Sequence, residues 1–181
     1  NKLEEINSGP IIFLGNEFFD ALPIKQFYKK KKSLYEKYIT LSKDKKKLEL
    51  EYKKAQKKLI KNIKSYNLLV SGDVVEYPAS AIKYLSSIAK KINKYDGGLL
   101  TFDYGYTKNK NKNTLQAVKN HMFINPFEQP GNSDITSHVN FGLFIEILNK
   151  NKLEVNKVVT QNEFLQKMGI RQRADILSSK M

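Results

Sequence analysis

The sequence predicts an α/β domain built around parallel core strands, and three observations carry that expectation. Pro10 to Leu14 is a short continuous apolar run, the pattern of a strand covered on both faces in a parallel sheet. Ile82, Leu85, Ile88, Ala89 and Ile92 recur at three- and four-residue spacing, as in a helix that packs one face on a sheet. Gly97-Gly98 then breaks the chain, and Leu99 to Tyr104 resumes as a second core strand, so that helix, break, strand and polar tip form half of a βαβ unit. With 181 residues and 40% apolar content, the chain can bury roughly 70% of its unfolded surface in one core.

Gly15 and Asn16 close the first strand. Beyond its carboxyl end, where open α/β sheets place their ligand crevice, come Glu17 and Asp20. Tyr35 to Leu41 and Leu48 to Tyr52 read as strands, because Leu48, Leu50 and Tyr52 alternate with Glu49 and Glu51, and Lys43-Asp44-Lys45-Lys46 reads as the hairpin turn. A polar helix follows, with Leu59, Ile60 and Ile63 on one stripe. Ser71 to Pro78 reads as a turn and short loop, with Pro78 suited to the first turn of a helix that stops near Tyr95. The second core strand delivers Asp103, Tyr104, Gly105 and Tyr106 at its tip. Thr107 to about His138, with Asn109 to Asn113 and Pro126 to Ser133 inside it, reads as one long loop of the kind that forms lids or binding loops. Val139 to Leu148 reads as a helix, Val155 to Thr160 as a strand, and Asn162 to Met168 as a helix closed by Gly169.

The net charge is +14, from 32 Lys and Arg against 18 Asp and Glu, and only Arg171 and Arg173 are arginines. Residues 29 to 64 hold fifteen lysines against Glu36, Asp44, Glu49 and Glu51, a local balance of +11. Such a field draws phosphate, acidic protein or an anionic membrane surface. Nucleic-acid surfaces add arginine forks and stacking aromatics to lysine, so nucleic acid is not the expected partner and a solvated face is the plainer reading. The absence of cysteine removes disulfides, thiolate metal sites and thiol nucleophiles, and suits a reducing compartment. No apolar run approaches ~18 residues, so no membrane span is expected. Asn1 is not an initiator, so the sequence is expected to be part of a longer chain.

The nine glycines contain no G-x-G-x-x-G and no Walker spacing. His121 and His138 lack the partners of a metal site and read as loop-packing or hydrogen-bonding residues, so no metal is expected. What remains is a set of acidic and polar residues at expected strand ends: Glu17, Asp20, Glu76, Asp103, Tyr104 and Asp134. Singly, Asp20 could cap a turn, Glu76 could favour a helix N-terminus and Asp134 could fix an Asx-turn. Together they would line an acidic crevice in a basic protein, and the natural guest of such a crevice is a cation.

At these residues the sequence resembles the MidA family of S-adenosylmethionine-dependent methyltransferases, whose mitochondrial members assist complex I assembly by methylating an arginine. The resemblance rests on Asn16-Glu17-Phe18-Phe19-Asp20-Ala21-Leu22-Pro23, on Gly98 through Asp103-Tyr104-Gly105-Tyr106, and on Thr114-Leu115-Gln116-Ala117 with His121. It continues through Pro130-Gly131 with Asp134-Ile135-Thr136-Ser137-His138-Val139 and through Thr160-Gln161-Asn162-Glu163-Phe164-Leu165 ahead of Gly169-Ile170. Glu76-Tyr77-Pro78-Ala79 departs from the family in its tyrosine. The resemblance implies the Rossmann-like class I methyltransferase fold, of which residues 1–181 are the C-terminal part. Residues 29–64 are then a lysine-rich hairpin and helix insertion, and the glycine-rich cofactor loop lies upstream of Asn1. It further implies S-adenosylmethionine as cofactor, a protein substrate with a target arginine, and an N-terminal half of the same fold as partner. Glu17 and Asp20 would be catalytic, while Glu76, Asp103, Tyr104, Asp134 and His138 would bind substrate. The expected compartment is a bacterial cytoplasm or, alternatively, a mitochondrial matrix. Two competing readings are a non-catalytic remnant or scaffold half of such an enzyme, and a basic adaptor for nucleic acid or an acidic partner.

Overall fold

The computed structural model describes residues 2–69, 73–108, 112–128 and 130–179. The expected turn at Ser71-Gly72 and residues 109–111 of the expected loop lie outside them. In chain order the elements are α1 (Lys2–Glu5), β1 (Ile11–Asn16), β2 (Lys25–Lys30), β3 (Ser33–Leu41), β4 (Leu48–Lys54), α2 (Lys57–Ser65), β5 (Val74–Tyr77), α3 (Ala79–Tyr95) and β6 (Gly97–Phe102). There follow β7 (Gly105–Tyr106), β8 (Gln116–Lys119), β9 (Met122–Ile124), β10 (Asp134–Thr136), β11 (Val139–Asn140), α4 (Phe141–Lys150), α5 (Gln161–Lys167) and α6 (Ile170–Ser178).

β1 and β6 are parallel, in register from Ile11↔Gly97 to Asn16↔Phe102. The register needs glycine at 97. Its φ is 127°, and a Cβ there would sit 1.7 Å from the Ile11 carbonyl oxygen, so Gly97 lets the two backbones close, and both glycines belong to the strand. α3 packs on both strands and on α4, burying Ala81, Ile82, Leu85, Ile88, Ala89 and Ile92 as its periodicity requires. The expectation that β1 is covered on both faces is corrected. Phe13 and Leu99 pack toward the core, whereas Ile12 and Leu14 are 81% and 71% exposed.

The second layer is an antiparallel sheet of order β4-β3-β2-β5. Its β3–β4 hairpin stands where the alternation placed it. β2 and β5, which were not read as strands, complete the sheet: Phe27 is fully buried between Val75 and Glu36, and Val75 and Tyr77 alternate inward from β5. This inner face meets α2 through Ile63 and α3 through Leu85. With Leu143, Phe144 and Ile147 of α4 these residues form the core.

The expected long loop contains a third sheet, of order β10-β8-β9. Asn120 and His121, at φ 49° and 61°, are the two residues between the paired Lys119 and Met122, the geometry of a type I′ hairpin. His121 is a turn residue. Residues 153–160 run without ladder partners, so the strand expected at Val155 to Thr160 is not formed, and a cavity of about 740 Å³ lies between that segment and β6. Thr160 and Glu163 make a reciprocal capping box that starts α5. Among the described residues no helix is long and apolar enough to cross a membrane.

Candidate active site

The ladder between β1 and β6 ends at Asn16↔Phe102, and the chain then turns sharply. The Glu17 N–H donates to the Phe102 carbonyl at 2.9 Å, while Glu17 itself sits at φ 47°, a left-handed conformation that costs a non-glycine residue roughly 1–2 kcal/mol. Asp103, one residue beyond β6, holds the turn. Its Oδ2 accepts the N–H groups of Phe19 and Asp20 at 3.0 and 3.3 Å, and its Oδ1 accepts that of Tyr104 at 2.9 Å. Phe19 plugs the turn into the core, edge-on to Phe144 at 4.8 Å, and Phe18 packs edge-on to Phe19 and Tyr84. The apolar pair inside the acidic motif is therefore the anchor that holds the acids in place.

Three carboxylates meet here. Glu17 is exposed and accepts the Tyr104 hydroxyl at 3.2 Å. Asp20 is only 5% exposed, and its Oδ1 accepts no hydrogen bond from the described residues. Burial raises the Asp20 carboxyl above the usual range, and the Glu17 charge adds to that rise, against a hydrogen bond from the Ala21 N–H. Burial likewise raises Asp103, and Asp20 repels its charge, although three backbone N–H groups favour the ionised form. The charge of Glu17, and then the hydrogen bond to it, raise the Tyr104 hydroxyl. Among the described residues none of the three carboxylates is in an ion pair. Glu17, Asp103 and Tyr104 line one end of the 740 Å³ cavity, whose walls include Phe141, Phe144 and Phe164. A negative, partly desolvated cluster open at Glu17 suits a planar cation with several N–H donors.

The other expected site residues stand elsewhere. Glu76 is engaged within the protein: its carboxylate accepts Gln26 Nε2 at 2.8 Å, the Thr114 N–H at 2.9 Å and the Thr114 hydroxyl at 2.6 Å. Gln26 also donates to Asn113 and accepts from Lys37. Burial pushes the nearby Tyr106 hydroxyl up to about 12, with the Glu76 charge adding to the effect. Asp134 is exposed in β10, opposite Val118. His138 is exposed beside a smaller cavity with Tyr106 and Lys112, and its backbone N–H donates to the Thr114 hydroxyl at 3.0 Å. The single crevice expected for Glu17, Glu76 and Asp134 is thus two separate groups and one surface residue. Residues 137–139 stitch the groups together: Ser137 N–H donates to the Asp20 carbonyl at 2.9 Å and Val139 N–H to the Tyr104 carbonyl at 2.7 Å. Gln26 and Lys37 were missed by sequence reasoning. The one signal for Gln26 was an amide next to Phe27 inside a lysine-rich strand.

Parallel strands with a helix on one face, and an acidic turn at their carboxyl ends, are a Rossmann-like α/β arrangement, and the likeness to solved structures makes it one of the class I methyltransferase kind. Residues 1–159 match the family model described as "Putative S-adenosyl-L-methionine-dependent methyltransferase", and the chain belongs to this family. It is 31% identical over 181 residues to the Caenorhabditis elegans "Protein arginine methyltransferase NDUFAF7 homolog, mitochondrial", covering 95% of this chain and 40% of that protein. It is 27% identical to the Danio rerio protein arginine methyltransferase NDUFAF7, covering 99% of this chain and 42% of that one. A crystal structure of a COG1565 superfamily member from Burkholderia thailandensis bound to S-adenosyl-homocysteine shares the fold. Its TM-score is 0.74 at 19% identity, over 96% of this chain and 45% of the other. The chain therefore spans less than half the length of the relatives it matches.

Proposed function

We propose that this chain is the acceptor-binding part of an S-adenosylmethionine-dependent methyltransferase that modifies an arginine side chain in a protein, as the names of its relatives suggest, a respiratory-complex subunit being the substrate implied by the resemblance of its motifs to the MidA family. The observation that carries this reading is the carboxylate cluster at the end of β1, in no ion pair among the described residues, with Glu17 exposed and Asp20 buried with its Oδ1 accepting no hydrogen bond from them.

The sequence holds no glycine-rich cofactor loop, so the cofactor's main grip is assigned elsewhere. Three glycines are closed by this chain's own backbone, since a Cβ at Gly97 would strike the Ile11 carbonyl, at Gly105 that of Val139 and at Gly142 that of Thr107, whereas Gly98 faces open space in the 740 Å³ cavity. The grip belongs to the part of the fold that the longer relatives add. The bare face of Ile12, Leu14 and Leu100, and the open edge of β1, are where that part would join. The cofactor supplies an electrophilic methyl group. This chain's own task is the acceptor. A guanidinium stays protonated, so its nitrogens attack poorly until charge is drawn onto the non-reacting ones. Glu17 can do this by a bidentate grip, with Asp20 behind it as further negative charge, and Tyr104 orients the Glu17 carboxylate. Asp103 supports the turn and Glu76 holds residues 113–114 against the sheet.

Glu17→Gln in the natural full-length polypeptide is expected to slow methyl transfer to an arginine-bearing protein substrate by about 10²–10³-fold, with S-adenosylmethionine binding unchanged by calorimetry. Transfer at near wild-type rate would remove Glu17 from the reaction.

A further inference from the structure

The outer face of the four-stranded sheet is not a uniformly solvated lysine surface. Pairing places Tyr28, Lys37, Ile39, Leu41, Leu50 and Tyr52 on it, opposite the buried Phe27 and Leu34. Asn113 and Thr114 cover its inner end by bonding Gln26 and Glu76, and the apolar outer end lies beyond them. There Tyr28, Ile39, Leu41, Leu50 and Tyr52 are between 42% and 59% exposed, with Tyr28 edge-on to Tyr52 at 6.1 Å. Lysines frame the stripe at both ends. Lys30, Lys31, Lys32 and Lys54 are exposed at the β2–β3 turn, and Lys43, Lys45, Lys46 and Lys47 at the β3–β4 turn. The second turn is well formed: Asp44 Oδ1 accepts from the Ser42 hydroxyl and the Lys46 N–H, and Ser42 N–H donates to the Lys47 carbonyl at 2.8 Å. The reverse face of the hairpin carries Tyr38, Thr40, Glu49, Glu51 and Lys53, so it is the more polar of the two faces.

We propose that this face of the β3–β4 hairpin docks on an anionic lipid bilayer surface. Residue choice separates a bilayer from the other polyanions. Protein interfaces favour arginine and deplete lysine, and nucleic-acid surfaces use arginine forks, yet no arginine occurs between residues 29 and 64. Lysine around leucine, isoleucine and tyrosine is the composition of elements that lie in a membrane interface, where apolar side chains enter the acyl boundary, tyrosine sits at headgroup level and lysine stems reach out to phosphates. Each lysine near such a surface strengthens partition roughly five-fold, and the attraction fades with salt. Docking here leaves the Glu17 turn untouched and does not depend on the reaction proposed above.

The test is sedimentation of the natural full-length polypeptide with phosphatidylcholine vesicles, with and without about one-third phosphatidylserine, at low and at roughly 0.5 M salt. Partition into the anionic vesicles only, lost at high salt, is expected. Replacing Lys43, Lys45, Lys46 and Lys47 with Gln is expected to weaken it more than ten-fold, and so is replacing Ile39, Leu41 and Leu50 with Ser. A control that removes the same charge elsewhere, with Gln at Lys83, Lys90, Lys152 and Lys167, should stay within two-fold of wild type. Thermal unfolding of each variant establishes that it is folded. Equal partition into neutral vesicles, no partition at low salt, or unchanged partition of the folded Ser variant would each overturn the proposal. Salt-sensitive capture by polyglutamate that the Ser variant retains, with no vesicle binding, would make the face an acidic-protein site instead.

Discussion

Glu17 and Glu76 are the same side chain near the ends of two short strands, each close to a tyrosine, and the fold treats them oppositely. Glu76 accepts three hydrogen bonds from Gln26 and Thr114, out of about four acceptor positions a carboxylate offers. Among the described residues Glu17 accepts one long bond, from an exposed tyrosine, from a backbone at φ 47°. Position at a strand end is therefore a weak sign of a site. Unused acceptor capacity, held in a conformation that the backbone would not choose, is the stronger one.

That contrast can be broken by substitution. The largest stability effect is expected from Glu76→Ala, which leaves one N–H of the buried Gln26 amide and the Thr114 N–H without their acceptor. Charge-assisted bonds of this kind suggest a loss of about 2–3 kcal/mol, read as a drop of about 5–10 °C in Tm. Asp20→Asn should act in the other direction. Because burial raises the folded Asp20 carboxyl, its contribution is favourable at acid pH and is lost as pH rises through the folded value, so wild type should gain stability as pH falls from 7 toward 4. The Asn variant should melt higher than wild type at pH 7, and this advantage should shrink toward pH 4. A wild-type profile that falls with acid over this window would show Asp20 to be well paired. The smallest effect is that of Glu17→Gly. It should raise stability by about 1 kcal/mol through relief of the left-handed backbone, measured by denaturant midpoint, while still abolishing the acceptor grip. A destabilised Gly variant would mean that Glu17 serves the fold.

Much of the scaffold was legible because its signals are local. The three-and-four spacing of α3 needs no partner to be read, nor does the alternation Leu48, Leu50, Tyr52 in β4. β2 was hidden because Lys25, Lys29 and Lys30 mask it. Its status as a central strand comes from Val75 on one side and Glu36 on the other, with Glu36 bonded to Lys25. The hairpin at Asn120-His121 was hidden because asparagine followed by histidine lacks the glycine that usually marks such a turn. Asp103 could be placed at a strand tip but not assigned as the clasp of the Glu17 turn. That function depends on N–H groups 83 and 84 residues away.

The sequence by itself determined which residues could be acidic, basic or apolar at each strand end, and that α3 and β6 make half of a βαβ unit in an α/β sheet to which β1 also belongs. These follow from periodicity and composition, which act over a few neighbours. Only the tertiary structure decided which carboxylates share a site and which are consumed in holding the chain together. It also decided that the lysine-rich hairpin turns an apolar face outward. Hydrogen-bond partners and strand register are set by segments far apart in the chain, and no local pattern records them.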